Sequence, residues 1–261
     1  MSTDPPPFDT CSILYNGRRE IGEISYFIVM RIIKNPSLLH HYLTSPPYTD
    51  YFRNDLRAYT RILEYDPGEY VLRQSVPPDH LYLMLHGRCC TRASLTNGKS
   101  MILQTLKAPC LIGEMELLQD ISPLTVQVLE KSRMLAIPLE RCRPILLQDP
   151  GFLRRVCSEL IIKERANSLS LIHTFCYPLE NRLAKFILDN RQENRFYIKK
   201  THIAESLGAS YRHVQTVMGS FVRKGYLTKE KLVYTLADES ALSALARELD
   251  AFDAADLPLP S

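Results

Sequence analysis

The chain has 261 residues, a formal net charge of +3 and seven cysteines. At one domain per ~100–200 residues this length holds about two domains, and the 45% hydrophobic and 23% charged content excludes a largely disordered chain. No run approaches the ~18 apolar residues of a membrane span, and Met1 to Phe8 lacks the basic and apolar regions of a secretory signal, so a cytoplasmic protein with no membrane partner is expected.

Residues 1–17 are polar, Pro-rich and without periodicity, and read as disordered. From Arg18 to Leu43, Ile21, Ile24, Phe27, Ile28, Ile32 and Leu39 recur at roughly helical spacing, interrupted by Pro36. That predicts one helix and a short second one before the break at Ser45-Pro46-Pro47. Between Tyr59 and Pro138 the texture changes to short runs such as Arg61–Tyr65, Tyr70–Gln74, His80–Leu85, Gly87–Leu95 and Ser100–Leu106, separated by turn residues. Asn97-Gly98 is a hairpin signal, because both central positions of a type I′ turn need positive φ. Many short strands at this spacing predict a β-barrel or sandwich.

Asp149-Pro150 marks a helix start: Asp caps free N–H groups, and Pro at the first helical position gives up a donor that had no partner. The next breaker is Pro178, so about 26 residues, roughly 39 Å of helix, lie between them. Leu153, Val156, Leu160, Asn167, Leu171 and Thr174 make one stripe on this helix; Phe152, Ile161, Leu169, Ile172 and Phe175 make a second. Two stripes need two packing partners. One is the chain's own β domain; the other is either the same helix of a second subunit, with Leu153, Val156, Leu160 and Leu171 in the seam, or more intramolecular core.

Leu179 to Asn190 reads as an amphipathic helix, and Lys199 to Leu227 has the layout of a helix-turn-helix. Ala204 is small where two helices would cross, Gly208 can take the left-handed conformation that ends the first, and Ser210 can cap the second. Ile203, Leu207, Val214, Val217, Phe221 and Val222 are the apolar positions that would bury the pair. Leu227 to Leu236 reads as a two-stranded wing. Tyr211, Arg212, His213, Gln215 and Thr216 are left exposed at the start of the second helix, where side chains reach base edges or phosphates of a major groove. Lys199, Lys200, Arg223, Lys224, Lys229 and Lys231 supply phosphate attraction, which confers affinity but little sequence choice.

The small total charge conceals a partition. Ile198 to Lys231 carries seven Lys or Arg against two acids, and Asp238 to Ser261 carries six acids against Arg247 alone. A basic reading head therefore precedes an acidic tail, in which Leu242, Leu245 and Leu249 suggest a short docked helix. The competing reading makes the winged helix a protein interface in a binding-only sensor module, its basic residues an ordinary solvated face.

This order of parts resembles the cyclic-AMP receptor protein and fumarate–nitrate regulator superfamily of bacterial transcription regulators, over about Asp55 to Leu236. Pro67-Gly68-Glu69-Tyr70, Leu81-Tyr82-Leu83-x-x-x-Gly87 and Ile112-Gly113-Glu114 look like its roll signatures. Ala108 to Leu117 and Gly208 to His213 look most like its YeiL-type branch. The resemblance implies an α+β chain: an N-terminal double-stranded β-roll, jelly-roll-like and of the cyclic-nucleotide-binding-domain type, then a long dimerisation helix and a C-terminal winged helix-turn-helix. The expected organisation is a partly helical extension over 1–54, the β-roll effector or sensor domain over 55–148, the dimerisation helix over 149–177, the DNA-binding domain over 178–247 and the acidic tail over 248–261. The resemblance further implies a homodimer on a palindromic double-stranded DNA site, with RNA polymerase as a partner. Arg212 and Gln215, with Tyr211 and Thr216 beside them, become the base readers; Lys199, Lys200, Thr201, Ser210 and His213 face phosphates.

Nucleotide-binding members close a phosphate cassette with an Arg followed by a hydroxylic residue, the guanidinium pairing with the phosphate. Here the matching stretch is Ile121-Ser122-Pro123-Leu124-Thr125, with Leu124 in place of the Arg. Cyclic AMP is therefore not the expected effector, and an effector pocket, if there is one, draws on Glu114, Thr125, Asn167 and Ser168. Asn167 alternatively fixes helix register across a dimer. No cofactor is expected. Oxygen-sensing relatives hold an iron–sulfur cluster through four cysteines, most near the N-terminus, where this chain has only Cys11; a cluster would have to draw on Cys11, Cys89, Cys90, Cys110 or Cys157. No metal site and no enzyme are expected: His80, His86 and Glu114 lack the His-x-His spacing of a metal-holding roll, and no Ser/His/Asp or Cys/His constellation is present.

Overall fold

The computed structural model describes residues 12–21, 24–96, 98, 100–197 and 199–250. They divide into two compact units, one within residues 1–94 and 105–161 and the other within residues 95–104 and 162–261. Cys11, Asn97 and the tail beyond residue 250 lie outside the described residues.

The first unit begins with an antiparallel hairpin, β1 (Ser12–Ile21) and β2 (Ile24–Ile33). This corrects the disorder expected over residues 12–17 and the helix expected from Arg18; the first eleven residues of that expectation lie outside the described residues. The run Ile24–Ile33 is rich in β-branched residues, and β2 pairs with β3 (Arg61–Tyr65), placing Arg31 opposite Glu64. Ladder pairing with β1 along the whole of β2, and with a strand some thirty residues on at its end, overrides a periodicity that fits a helix equally well. Two short helices follow, α1 (Pro36–Leu43) and α2 (Tyr48–Tyr51). Asn35 caps α1 by accepting from the Leu38 N–H at 2.9 Å, and Pro36 stands at its start.

The roll continues through β4 (Tyr70–Leu72), β5 (His80–Ser94), β6 (Ser100–Lys107), β7 (Cys110–Ile112), a single 3-10 turn at Met115–Leu117, and β8 (Thr125–Pro138). The main path of the sheet runs β1-β2-β3-β8-β5-β6, with β4 against β8 and β7 against β5. β5 shows why its sequence reads as nearly continuous apolar residues. Tyr82 and Met84 point into the roll with Leu63, Tyr65, Ile112 and Met134. Leu81, Leu83 and Leu85 point to the opposite face, against Tyr42, Leu43, Tyr51 and Phe52 of the N-terminal segment. Period-two alternation puts successive side chains on opposite faces, and here both faces are buried.

Gly87 sits where β5 bulges against β8, at φ +99°. A Cβ there would strike the Ser132 hydroxyl and approach the Lys131 carbonyl to 2.7 Å, which accounts for the glycine that closes the Leu81-Tyr82-Leu83 signature. Next to it lies a buried ion pair. Arg133 and Glu64 are opposite each other on β8 and β3, and Arg133 donates from Nε and Nη2 to Glu64 Oε1 at 3.0 and 2.7 Å and from Nη1 to the Tyr42 hydroxyl at 2.9 Å. The N-terminal helices are thereby tied to the sheet by a charge-assisted network.

Helix α3 (Leu139–Leu147) leads into α4 (Pro150–Cys176). Asp149 caps α4 through Oδ1, which accepts from Gly151 N at 2.9 Å and Phe152 N at 3.2 Å, while Asn54 holds its other oxygen at 2.8 Å. The first turns of α4 belong to the first unit: Phe152 stacks on Phe52 with ring centroids 5.5 Å apart, Val156 is buried beside it, and Tyr51 donates to Glu159 at 2.7 Å.

The second unit takes the rest of α4 and continues with α5 (Leu179–Asn190), β9 (Arg195–Phe196), α6 (Lys200–Ser206), α7 (Tyr211–Arg223), β10 (Leu227–Glu230), β11 (Val233–Leu236) and α8 (Glu239–Asp250). The wing is three-stranded, in the order β10-β11-β9, because the two-residue strand Arg195–Phe196 joins its inner edge. Leu183, Ile187, Ile203, Val214, Val217, Met218 and Phe221 form the core. The α8 helix docks on it through Leu242 and Leu245, and Asp238 caps α8 by accepting from Ala241 N at 2.9 Å. Among the described residues no helix is long and apolar enough to cross a membrane.

Candidate nucleic-acid interface

The helix-turn-helix follows from four local features. Leu207 ends α6, Gly208 turns the chain at φ +57°, Ala209 N returns to the Ala204 carbonyl at 2.9 Å, and Ser210 Oγ accepts from His213 N at 3.2 Å to cap α7. That cap uses a lone pair of the Ser210 hydroxyl and leaves its proton for an outside acceptor. Val214, Val217, Met218 and Phe221 turn inward, so Tyr211, Arg212, His213, Gln215 and Thr216 all stand exposed on the opposite face. Beyond the N–H that Ser210 caps, the N-terminus of α7 keeps unsatisfied N–H groups, which favour anions.

The structure thus brings the four expected base readers together on one face of α7. They are not equivalent. The Thr216 hydroxyl donates to the Arg212 carbonyl at 3.0 Å, so its outward group is the methyl, which suits the thymine methyl better than a hydrogen-bonding edge. Arg212, at the second position of the helix, carries the largest donor set.

Beside α7 lies a cleft of about 390 Å³ lined by Lys199, Lys200, Thr201, Tyr211, Lys229 and Lys231. Lysines from the start of α6 and from the wing therefore converge around the start of α7. Lys199 and Thr201 are exposed and Lys200 half-buried. Lys231 makes the wing turn at φ +54°, with Leu232 exposed beside it. Tyr197, Leu232 and Tyr234, which the sequence did not single out, complete the wall. Their signal was absent because the two-residue strand that places Tyr197 is too short for any periodicity.

The four residues assigned to an effector do not share one unit. Glu114 and Thr125 are in the first; Asn167 and Ser168 are on α4 in the second. Within the first unit the cassette loop is closed on itself. Ser122 hydrogen-bonds to the buried Glu116 carboxylate and to the Leu124 carbonyl, Thr125 Oγ1 accepts from Gln74 N at 3.1 Å, and Ser75 N donates to the Ser122 carbonyl at 2.8 Å. A buried carboxylate bonded within this loop, with Leu124 in place of an Arg, does not fit a cyclic nucleotide phosphate. On α4, Ser168 donates to Glu164 at 3.3 Å, and Asn167 Oδ1 is buried without a partner among the described residues.

Of the described cysteines, Cys89, Cys90, Cys110 and Cys142 are buried, whereas Cys157 and Cys176 are exposed. Burial pushes the Cys89 thiol up to about 12, which opposes the thiolate that a cluster ligand requires. Among the described residues no group of three His, Cys, Asp or Glu could hold a metal ion.

Of the four expected seam residues, Val156 is in the first unit's own core and Leu153 packs against it. Leu160 and Leu171 are exposed, as are Ile161 and Phe175.

A β-roll followed by a long helix and a winged helix-turn-helix defines a DNA-binding transcription regulator with a cyclic-nucleotide-binding-like sensor domain. The chain matches the cyclic nucleotide-binding domain over residues 62–149 and the Crp-like helix-turn-helix domain over residues 181–245. It is 37% identical over 209 residues to the regulatory protein YeiL of Escherichia coli O157:H7, covering 80% of this chain and 95% of that protein. It is 22% identical over 199 residues to the HTH-type transcriptional regulator Cmr of Mycobacterium tuberculosis, covering 75% and 81%. The chain belongs to the CRP/FNR superfamily of bacterial transcription regulators. Its fold matches a regulator of that family from Eubacterium rectale with a TM-score of 0.68, at 16% identity, over 78% of this chain and 98% of that one. It also matches the global regulator CLP of Xanthomonas campestris with a TM-score of 0.62, at 16% identity, over 69% and 95%.

Proposed function

We propose that the chain acts as a homodimer on a palindromic DNA site, with half-sites about one helical turn apart, under the control of a signal at the roll other than cyclic AMP. Arg212 and Gln215 read base edges, Tyr211 and Thr216 make flanking base contacts, and Lys199, Lys200, Thr201, Ser210 and His213 hold phosphates. The observation that carries this reading is the exposed polar face of α7 beside a cleft bearing four lysines. RNA polymerase is the partner on which such a regulator acts. Pairing uses the outer face of α4 at Leu160 and Leu171, residues about three turns apart on one side of the helix; Val156 is spent inside the protomer.

The test is a salt titration of DNA binding by fluorescence anisotropy, with sedimentation of the free protein alongside. A dimer neutralising about 6–10 phosphates loses about 10³-fold or more in affinity between roughly 50 and 200 mM salt. A flat response, or a monomer at micromolar concentration that stays monomeric on DNA, overturns the assignment.

A further inference from the structure

The second unit contains a cavity that the DNA-facing surface does not use. It has a volume of about 340 Å³ and lies between the last turns of α4, the helix α5, the end of α6 and Leu249 of α8. Ligand pockets of small molecules begin at about 300 Å³ and combine an apolar wall with a few polar groups. This one does so: Leu169, Phe186 and Leu249 supply the apolar side, His173, Arg182 and Lys185 supply nitrogen donors, and Asp189 is the one carboxylate against three basic side chains.

Two of those polar groups are incompletely used. Arg182 Nη1 donates to the Leu207 carbonyl at 2.6 Å, but Arg182 Nε is buried with no hydrogen-bond partner among the described residues, and so is His173 Nε2. Buried polar atoms in native proteins nearly always have a partner, and an exception calls for an explanation. A guanidinium edge and an imidazole nitrogen beside one cavity match the oxygens of a carboxylate or phosphate, which a guanidinium binds through two parallel hydrogen bonds.

We propose that this cavity binds a small organic anion, its acidic group at Arg182 and His173 and its apolar body against Leu169, Phe186 and Leu249. The consequence for DNA rests on the function proposed above. Arg182 holds the residue at which α6 ends, so an anion that draws the guanidinium away releases the turn that orients α7.

The experiment is isothermal titration calorimetry of the full chain with benzoate and phenyl phosphate as charged probes and benzyl alcohol as the uncharged one. The expected result is saturable binding of at least one anion, none of benzyl alcohol, and at least tenfold weaker binding in Arg182→Gln. Leu169→Trp fills the cavity without touching the guanidinium, and it decides the matter should Arg182→Gln fail to fold. Loss of binding in Leu169→Trp supports the site. Anion binding that survives unchanged in that variant, or no saturable heat with either anion up to millimolar concentration, overturns it. These heats are measured without DNA, so they stand or fall separately from the DNA-binding assignment. A shift of DNA affinity in the presence of the bound anion is the separate readout of coupling.

Discussion

Arg182, on α5, donates to the carbonyl of Leu207 at 2.6 Å, with the Thr174 hydroxyl 3.5 Å from the same nitrogen. The last carbonyls of a helix have no partner within it, and here one side chain from a neighbouring helix satisfies the end of α6. The link is made against a cost, since burial lowers the Arg182 pKa. Arg182→Ala is expected to destabilise the second unit by about 1–3 kcal/mol through the unpaired carbonyl, with Arg182→Lys recovering part of the loss. The midpoint of urea unfolding is the measurement, and an unchanged midpoint in Arg182→Ala would remove the tie.

The Glu64–Arg133 pair offers a second measurement. Both side chains are almost fully buried, so removing one partner strands a charge in the interior. Glu64→Leu or Arg133→Met alone is expected to cost about 3–5 kcal/mol, and the two replacements together markedly less than the sum. Additive losses in a double-mutant cycle would mean that the two residues act independently.

On the recognition face, Arg212→Ala is expected to cost about 1–3 kcal/mol in specific DNA affinity and to relax preference at one base position per half-site. Thr216→Val keeps the γ-methyl and replaces only a hydroxyl already bonded to the Arg212 carbonyl, so its effect on base preference is expected to be small. Selection from a randomised half-site library compares the two. Equal relaxation in both variants would assign the reading to the helix as a whole rather than to Arg212.

Acid sensitivity has a definite sign at His86. Burial, and then the Arg133 cation, hold its pKa below the usual 6.5. The unfolded chain therefore binds the proton more readily than the folded one, and stability falls as pH drops from about 6.5 through the folded-state pKa. Urea melts at pH 7.5 and at pH 5.5 are expected to differ less in His86→Gln than in the parent. An identical pH difference in the two proteins would place the acid sensitivity elsewhere.

Some parts of this fold are written in contiguous residues. The helix-turn-helix is legible because Gly208, Ser210 and the inward residues Val214, Val217 and Phe221 lie within one short segment, and helical geometry alone puts Arg212 and Gln215 on the other side. The start of α4 is legible for the same reason, since Asp149 caps the turn that directly follows it. The hairpin β1–β2 is not legible, because Ile21, Ile24, Ile28 and Ile32 fit a helical period and only pairing with β1 and the edge of β3 turns the run into a strand. Nor is the fate of Val156, which depends on Phe52 stacking against Phe152.

The sequence by itself determined the order of parts, the membership in a family of DNA-binding regulators and the polar face that α7 leaves exposed, because caps, turns and periodicity are local properties of the chain. Only the tertiary structure decided which stripe of α4 is consumed within the protomer, that Glu116 and Ser122 close the cassette loop, and that Arg182 meets Leu207 beside a cavity. Those facts depend on residues distant in sequence competing for the same space and the same hydrogen bonds. No window along the chain contains both competitors.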